Sequence, residues 1–293
     1  MSQGDASHDI AAGSRRQTIS VTRNVSVEVV IGVEADDPIS LGIAQGTHFN
    51  HAQIDLMLKL VRPGQVVLDL GAHVGLYSLT AAAVGCRVAA VEASPRNAQL
   101  LSESARCNRF EMLQVVQAAV SDRAGTVEFN VHGPYGHVYA PGSNMLGTKV
   151  RAATVEQILG EMGLSRVDFI KMDVEGSELA ALSGMSRLLA GPEAPPILYE
   201  SNSHTLAFYG QTPRQLKQAL EDLGYRNYEI TKPNRLVPAL PRDSQEDIVV
   251  DYLAIKGQPP TLDGWRFEPW PTFWGRRLSG LRSGARRLLR RAA

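Results

Sequence analysis

Two carboxylates, Asp173 and Glu175, stand two residues apart at the end of an apolar run and are followed by Gly176. Side chains two apart in a strand share a face, so both carboxylates can lie together at the strand's carboxyl end before the glycine turns the chain. Such a pair can accept a proton from a hydroxyl group. Glu200 and Asn202 end the next apolar run, and their oxygens suit a hydroxyl network or a hard cation such as Mg²⁺. We therefore predict catalytic roles for Asp173, Glu175 and Glu200, with the same three as ligands if Mg²⁺ binds.

Three histidines are further candidates for a general base, because imidazole titrates near neutral pH. His204 is the best placed, since it lies just beyond Asn202, and His48 and His51 are weaker candidates. A loop histidine is more often a solvated residue without a role, and that alternative stays open for all three. Glu178 falls in the first turn of a predicted helix, where a carboxylate stabilises the helix dipole.

A second feature is the stretch LDLGAHVGLYS, residues 68–78, with two glycines four residues apart between a predicted strand and a predicted helix. Gly71 and Gly75 permit positive φ and close approach of a ligand, and the helix amino terminus offers unpaired N–H groups. Glu92 ends the next predicted strand, where an acidic side chain can accept hydrogen bonds from both ribose hydroxyls. This pattern predicts a site for a nucleotide-like ligand.

The type of ligand follows from what the loop lacks. The glycine loop has neither the G-x-G-x-x-G pattern of a dinucleotide fold nor the Lys-Ser/Thr pair of a P-loop. Among nucleotide-like ligands, this leaves one that contains adenosine but has no phosphates to bind. Ser121 and Asp122 end the following strand, where Asp122 can reach an adenine amino group. An ordinary Asp-Arg-Ala-Gly turn explains that pair nearly as well.

The elements around these residues alternate between strand and helix, which predicts a parallel sheet covered by helices on both faces. Two final strands without a helix between them predict an antiparallel hairpin at the sheet edge. The predicted strands are 18–33 (a strand or hairpin), 65–70, 87–93, 112–120, 167–174, 196–201, 225–230 and 248–257. The predicted helices are 51–61, 77–84, 94–108, 154–162, 177–189 and 212–223.

Three stretches together resemble the FkbM family of class I S-adenosylmethionine-dependent methyltransferases: the glycine loop, VDFIKMDVEGSELAALSGM (167–185) and ESN (200–202). The resemblance implies a Rossmann-like α/β fold with a seven-stranded, mostly parallel sheet and S-adenosylmethionine as cofactor. The residues that it implies for cofactor binding are Asp69, Gly71, Ala72, His73, Gly75, Glu92, Ala93, Ser121, Asp122 and Asp173. His73 departs from the asparagine usual in the family, and THFNH (47–51) stands where a glutamate is often found.

The resemblance implies O-methylation of a hydroxyl on a sugar, a glycan or a secondary metabolite. A neutral hydroxyl is a poor nucleophile, so a positioned base for its proton would contribute to the rate. Two alternatives stay open, namely N-methylation of a small molecule and a binding protein that keeps the fold without turnover. A specific nucleic-acid partner is not expected.

Composition places the chain among globular proteins, with 44% hydrophobic and 20% charged residues in 293. No signal-peptide core or long apolar run is evident, so we expect a cytoplasmic protein. Cys86 and Cys107 are expected to be reduced thiols.

Charge and pattern divide the chain into a disordered amino terminus (1–16), a methyltransferase domain (17–262) and a tail (263–293). Seven arginines and no acidic residue occupy the last 18 residues, which leaves a formal charge of −7 on the rest. Leucines and alanines of this tail recur at helical spacing after Trp270 and Trp274, a pattern typical of a helix at an anionic membrane surface. Packing on the acidic body of the protein and unspecific nucleic-acid binding are the alternatives.

Overall fold

The computed structural model describes residues 12–22, 25–33, 37–47, 51–130, 136–139, 147–244 and 248–270. Its strands are β1 (Ser14–Thr22), β2 (Val25–Gly32), β3 (Val66–Leu70), β4 (Arg87–Glu92), β5 (Leu113–Gln117), β6 (Ala119–Val120), β7 (Gly125–Phe129), β8 (Thr148–Ala153), β9 (Phe169–Met172), β10 (Ile197–Asn202), β11 (Arg226–Thr231), β12 (Arg235–Pro238), β13 (Val249–Ile255) and β14 (Arg266–Phe267). Its α-helices are α1 (Pro38–Ala44), α2 (His51–Leu60), α3 (Leu76–Ala83), α4 (Pro95–Cys107), α5 (Val155–Glu161), α6 (Glu178–Gly184), α7 (Ser186–Ala190), α8 (Ser203–Ala207) and α9 (Pro213–Asp222).

The main sheet has nine strands in the order β14-β12-β11-β13-β10-β9-β3-β4-β5. The five strands from β10 to β5 run parallel, and β13 is antiparallel to both of its neighbours. The predicted α/β fold with a mostly parallel sheet and an antiparallel edge is therefore confirmed. The strand count of seven is too low because β12 and β14 are short strands that form by pairing with the rest of the sheet.

The strand order reverses at β3, since the chain continues to β4 on one side and reaches β9 on the other. Loops at the carboxyl ends of such strands diverge and leave a crevice between them. Both faces of the sheet are covered by separate apolar clusters: Val67 and Phe169 belong to one, and Leu68 and Ile170 to the other. All five residues of β3 are buried, so this strand reads as a continuous apolar run broken only by Asp69.

The predicted strand 112–120 divides into two. β5 ends at Gln117, and the chain then enters β6, which pairs in parallel with β8 in a three-stranded sheet with β7. This change of sheet carries Ser121 and the residues after it away from the rim of the main sheet.

The amino-terminal hairpin β1–β2 packs against α4. Ser104 Oγ accepts a hydrogen bond from Val30 N at 2.8 Å, and Asn108 pairs with both backbone groups of Glu28. Ser14 and the next residues pair with the end of β2, so the prediction of disorder is wrong for residues 14–16. Of the rest of that prediction, Ala12 and Gly13 form a turn and residues 1–11 lie outside the described residues.

The first residues of the predicted tail belong to the fold. β14 extends the main sheet, Trp265 Nε1 donates to Asp55 Oδ2 at 2.7 Å, and the Trp270 ring meets Tyr228 edge-on at 5.8 Å. Trp270 thus packs on the protein body. Residues 271–293, with Trp274 and the arginine-rich helix predicted there, lie outside the described residues. Within the described part of the chain, no helix is long and apolar enough to cross a membrane.

Candidate active site

A cleft with a volume of about 420 Å³ opens at the carboxyl ends of β3, β4 and β9. The glycine loop, the end of β4 and the turn after β9 form its floor, and residues around α1 close one side. Seven of the residues predicted to bind the cofactor line it: Gly71, Ala72, His73, Gly75, Glu92, Ala93 and Asp173. Glu175 and Ser177, from the turn after β9, also line the cleft.

Close packing explains both glycines of the loop. A Cβ on Gly71 would lie 1.8 Å from the carbonyl oxygen of Asp173, and one on Gly75 would lie 2.0 Å from Leu101. Both residues have positive φ, 76° and 93°, which glycine adopts without strain. Neither position therefore accepts a side chain.

Glu92 is buried and binds the backbone of both the glycine loop and the chain after β4. Its Oε2 accepts from His73 N at 2.8 Å, and its Oε1 accepts from Ser94 N at 2.7 Å. Burial raises the pKa of Glu92 even though His73 and these N–H groups favour its ionised form. Each carboxylate oxygen has a further lone pair, so the predicted contact with ribose hydroxyls remains available.

His73 links the glycine loop to the amino-terminal part of the chain. Its backbone has a φ of 51°, and its Nε2 lies 3.7 Å from Asp37 Oδ1, while Asp37 caps α1 by accepting from Ile39 N and Ser40 N. The imidazole Nδ1 is buried without a hydrogen-bond partner among the described residues. His73 thus stands where the family usually has asparagine, and its ring contacts Asp37.

Lys171 is the main residue that the sequence analysis missed. Its Nζ donates to Gly71 O at 2.8 Å and lies 3.4 Å from Asp173 Oδ2 and 3.8 Å from Asp69 Oδ1. Burial alone lowers the pKa of Lys171, but the surrounding carboxylates raise it on balance. The available signal was a lysine inside an otherwise apolar strand, which needs a buried partner.

Asp69 lies beneath the loop and does not line the cleft. It is fully buried, accepts from Ser78 Oγ at 2.6 Å and faces Lys171. Burial raises the pKa of Asp69, and Lys171 and Ser78 offset this only in part. Its predicted direct contact with the cofactor is therefore replaced by a supporting role, in which it holds Lys171 under the glycine loop.

Asp173, Glu175 and Glu200 come together as predicted, with one carboxylate oxygen of each within 4.8 Å of the others. We call these three residues the carboxylate cluster. Glu175 has a φ of 50° in the turn, and Asn202 Nδ2 donates to its Oε2 at 3.5 Å. Burial, and then repulsion by the neighbouring carboxylates, raises the pKa of both Glu175 and Glu200. The cluster therefore retains a proton at a pH where isolated glutamates are ionised.

A fourth acid, Asp251, was not predicted. It lies on β13 opposite Glu200, and Gln53 Nε2 donates to its Oδ2 at 2.5 Å. Burial is the main cause that raises the pKa of Asp251 to about 6. Only the register between two antiparallel strands reveals this neighbour.

Other predicted residues are not in the cleft. Asp122 is partly exposed and pairs with Arg123, because β6 leaves the main sheet before it, and Ser121 also does not line the cleft. Ala118 and Ala119 occupy the rim at that place. His204 is exposed on α8, so the predicted base role has no support from its position, while His51 is exposed at the start of α2 and His48 lies outside the described residues.

Glu178 lies in the first turn of α6, where a structural role was expected for its carboxylate. Its Oε1 accepts from Val174 N at 3.3 Å and from Gly176 N at 3.2 Å, so it closes the turn that carries Glu175. Burial is the main cause that raises the pKa of Glu178 to about 7.

The methyltransferase FkbM domain matches residues 69–227, more than half of the chain, from the glycine loop to β11. The chain belongs to the FkbM methyltransferase family. It is thus an S-adenosylmethionine-dependent methyltransferase with a Rossmann-like fold. No curated protein sequence matches it.

Solved methyltransferase structures resemble the chain over most of its length. Precorrin-6y C5,15-methyltransferase from Geobacter metallireducens has a TM-score of 0.41 and 18% identity, covering 71% of this chain and 87% of that one. A SAM-dependent methyltransferase from Agrobacterium tumefaciens has a TM-score of 0.43 and 12% identity, covering 84% and 70%. The 16S rRNA N2 G1207 methyltransferase of T. thermophilus, in complex with AdoMet and guanosine, has a TM-score of 0.42 and 16% identity, covering 84% and 52%.

The cleft of this FkbM methyltransferase fits S-adenosylmethionine. Gly71, His73 and Gly75 of the glycine loop line it, and Glu92 presents a buried carboxylate beside them. When bound, the cofactor supplies a methyl group on a positively charged sulfur. Two members of the carboxylate cluster, Asp173 and Glu175, line the same cleft and suit a positively charged group.

Replacing Glu92 by alanine is expected to weaken S-adenosylmethionine binding by about 1.5–3 kcal/mol, the range for a hydrogen bond to a charged group. Isothermal titration calorimetry measures this directly. The exposed Glu111, replaced in the same way, serves as the control and should leave the affinity unchanged. Equal affinity in the Glu92→Ala variant and the parent would show that Glu92 serves only to hold the backbone of His73 and Ser94.

Proposed function

We propose that the chain methylates a hydroxyl group of a sugar, a glycan or a secondary metabolite. The observation that carries this proposal is the carboxylate cluster at the end of the cleft, where Glu175 and Glu200 have raised pKa values. A base for the hydroxyl proton works best when its pKa lies near the working pH, and it contributes on the order of 10²–10⁴ in rate. An ordinary exposed glutamate is too weak a base for this task.

Each residue of the site has a separate part in the proposed reaction. Lys171 lies 3.4 Å from Asp173 and fixes the glycine loop through its bond to Gly71 O. Glu175 and Glu200 are both protonated at neutral pH, and Glu175, whose pKa is raised to about 8, ionises as the pH rises and then accepts the proton of the acceptor hydroxyl. Asn202 holds Glu175 toward that hydroxyl. Alignment of the acceptor oxygen with the transferred methyl group supplies the rest of the rate.

Formation of S-adenosylhomocysteine with a panel of hydroxyl-bearing acceptors tests the proposal. Sugars, glycans and polyketide alcohols should support turnover, and matched amines should support little, because the cluster is built to take a proton from oxygen. Turnover with amines alone would favour the N-methyltransferase alternative. That alternative needs no base when the amine is neutral, so Glu175→Gln would then retain full activity.

Magnesium is a separate question for the same three carboxylates. Lys171 lies 3.4 Å from Asp173, and Glu175 and Glu200 retain a proton, so both features compete with a divalent cation. We expect turnover to be unaffected by EDTA. Activity that EDTA abolishes and that added Mg²⁺ restores would instead assign the cluster to a metal ion.

A further inference from the structure

The edge of the main sheet opposite β5 carries a basic surface. Four exposed side chains on β11, β12, β14 and the turn between β11 and β12 form it: Arg226, Lys232, Arg235 and Arg266. We call these four residues the basic edge. Arg235 and Arg266 both pair with Glu268, at 3.0 Å and 3.3 Å, and one carboxylate cannot neutralise two guanidinium groups. The basic edge therefore keeps a positive charge on a protein body that is acidic overall.

Aromatic rings lie beside the basic edge. A groove with a volume of about 460 Å³ is lined by Arg226 and Arg266 together with Phe267 and Trp270. The Arg226 guanidinium stands over the Trp270 ring, 5.9 Å from its centroid. Tryptophan and arginine both join an apolar body to a polar tip, which suits the boundary between lipid tails and headgroups.

The arginine-rich tail begins at the same place. Trp270 is the last described residue, and residues 271–293 follow it in the sequence. The tail thus starts beside the four basic side chains, so packing on the neighbouring body surface would bring like charges together. This disfavours the alternative in which the tail covers the body next to it.

The leucines of the tail distinguish between the two remaining anionic partners. Leu278, Leu281, Leu288 and Leu289 recur at helical spacing among the seven arginines. A nucleic-acid backbone binds through the arginines and makes no use of an apolar stripe. A bilayer interface takes both the arginines and the leucines, so the pattern favours a membrane.

The cleft lies away from this surface. β14 runs opposite to the parallel strands, since its parallel neighbour β12 is antiparallel to β11, and β11 has the direction of β10. The chain therefore leaves β14 toward the end of the sheet opposite the cleft. Five strand spacings of about 4.8 Å, roughly 24 Å in all, also separate β14 from β9. A membrane held at the basic edge would leave the cleft open.

We propose that the basic edge and the tail together bind the headgroups of an anionic membrane, with Trp270 and the leucines of the tail at the interface. The acidic body faces away from the lipid, because the anionic surface repels it. Each basic residue near such a surface strengthens binding about fivefold, and salt screens this attraction. The methyltransferase thus works at a membrane surface, whichever group it methylates.

Co-sedimentation of the full chain with lipid vesicles tests the proposal without turnover. The vesicles contain phosphatidylcholine alone, or phosphatidylcholine with about 30% phosphatidylserine, at low ionic strength. We expect binding to the anionic vesicles only, with release at high salt. Two variants should bind at least about tenfold more weakly. One is Lys232→Glu/Arg266→Glu, which reverses charge on the basic edge, and the other replaces the four leucines of the tail by serine and keeps every arginine.

A matched control makes the same charge change elsewhere. Arg123 and Lys149 are exposed at the three-stranded sheet, and Arg123→Glu/Lys149→Glu should bind close to the parent. All variants should keep the parent's melting temperature and S-adenosylhomocysteine affinity, and both are measured alongside. These readouts need no acceptor, so they stand apart from the test of the proposed function.

Four results would overturn the inference. They are no binding of the full chain to anionic vesicles, equal binding to neutral vesicles, an edge variant that binds like its control, and a leucine variant that binds like the parent. Retention on duplex DNA without vesicle binding would assign the arginines to nucleic acid instead.

Discussion

Glu175→Gln is expected to lower kcat by about 10²–10⁴-fold while leaving S-adenosylmethionine affinity and the melting temperature near those of the parent. The amide keeps the size of the side chain and its contact with Asn202, but it cannot accept the hydroxyl proton. Stopped-time assays of S-adenosylhomocysteine, combined with calorimetry, separate the loss of turnover from a loss of binding. The exposed Glu193, replaced by glutamine, is the matched control and should turn over like the parent.

The pH profile of the parent supports the same assignment. Because the pKa of Glu175 is raised to about 8, the base is protonated at neutral pH and ionises in the mildly alkaline range, so the parent's rate should rise with pH across that range. Glu175→Gln should lose this rise. Parent-like turnover in Glu175→Gln, with an unchanged pH profile, would reduce Glu175 to a structural residue of the turn.

Lys171→Met is expected to lower the free energy of unfolding by about 3–5 kcal/mol, because it leaves Asp69 and Asp173 without their buried cation. Urea unfolding at pH 5 and pH 8 measures the loss. The loss should be smaller at the lower pH: without Lys171 the raised folded-state pKa of Asp69 rises further, so the folded state binds more protons than the unfolded state as pH falls. Lys59, which pairs with the exposed Asp263, is the control, and Lys59→Met should cost less than about 1 kcal/mol.

A Lys171→Met variant as stable as the parent at pH 8 would contradict this account. It would mean that Asp69 and Asp173 need no buried cation in the folded state.

The carboxylate cluster was predictable because its members end neighbouring parallel strands. Asp173, Glu175 and Glu200 follow apolar runs, and strand ends of a parallel sheet meet at one edge. Asp251 could not be predicted, since it approaches from an antiparallel strand whose register the sequence does not specify. Asp122 was misplaced because β6 changes sheets at Ala119, a choice made by pairing with β8.

Prediction from the local sequence pattern also failed where contacts between distant parts of the chain determine the structure. The polar residues of 14–16 resemble a disordered terminus, yet they pair with β2 as part of a hairpin that packs on α4. Lys171 was present in the recognised motif, but its position between Asp69 and Gly71 depends on two strands and the glycine loop meeting in space.

The central claim is that the methyl group is transferred to oxygen. Reaction of the full chain with S-adenosylmethionine labelled with ¹³C at the methyl carbon, followed by two-dimensional NMR of the product, reads the new bond directly. The account predicts a labelled methyl carbon bonded to oxygen and correlated across it with a ring proton of a sugar. A labelled methyl carbon bonded to nitrogen or carbon would contradict it.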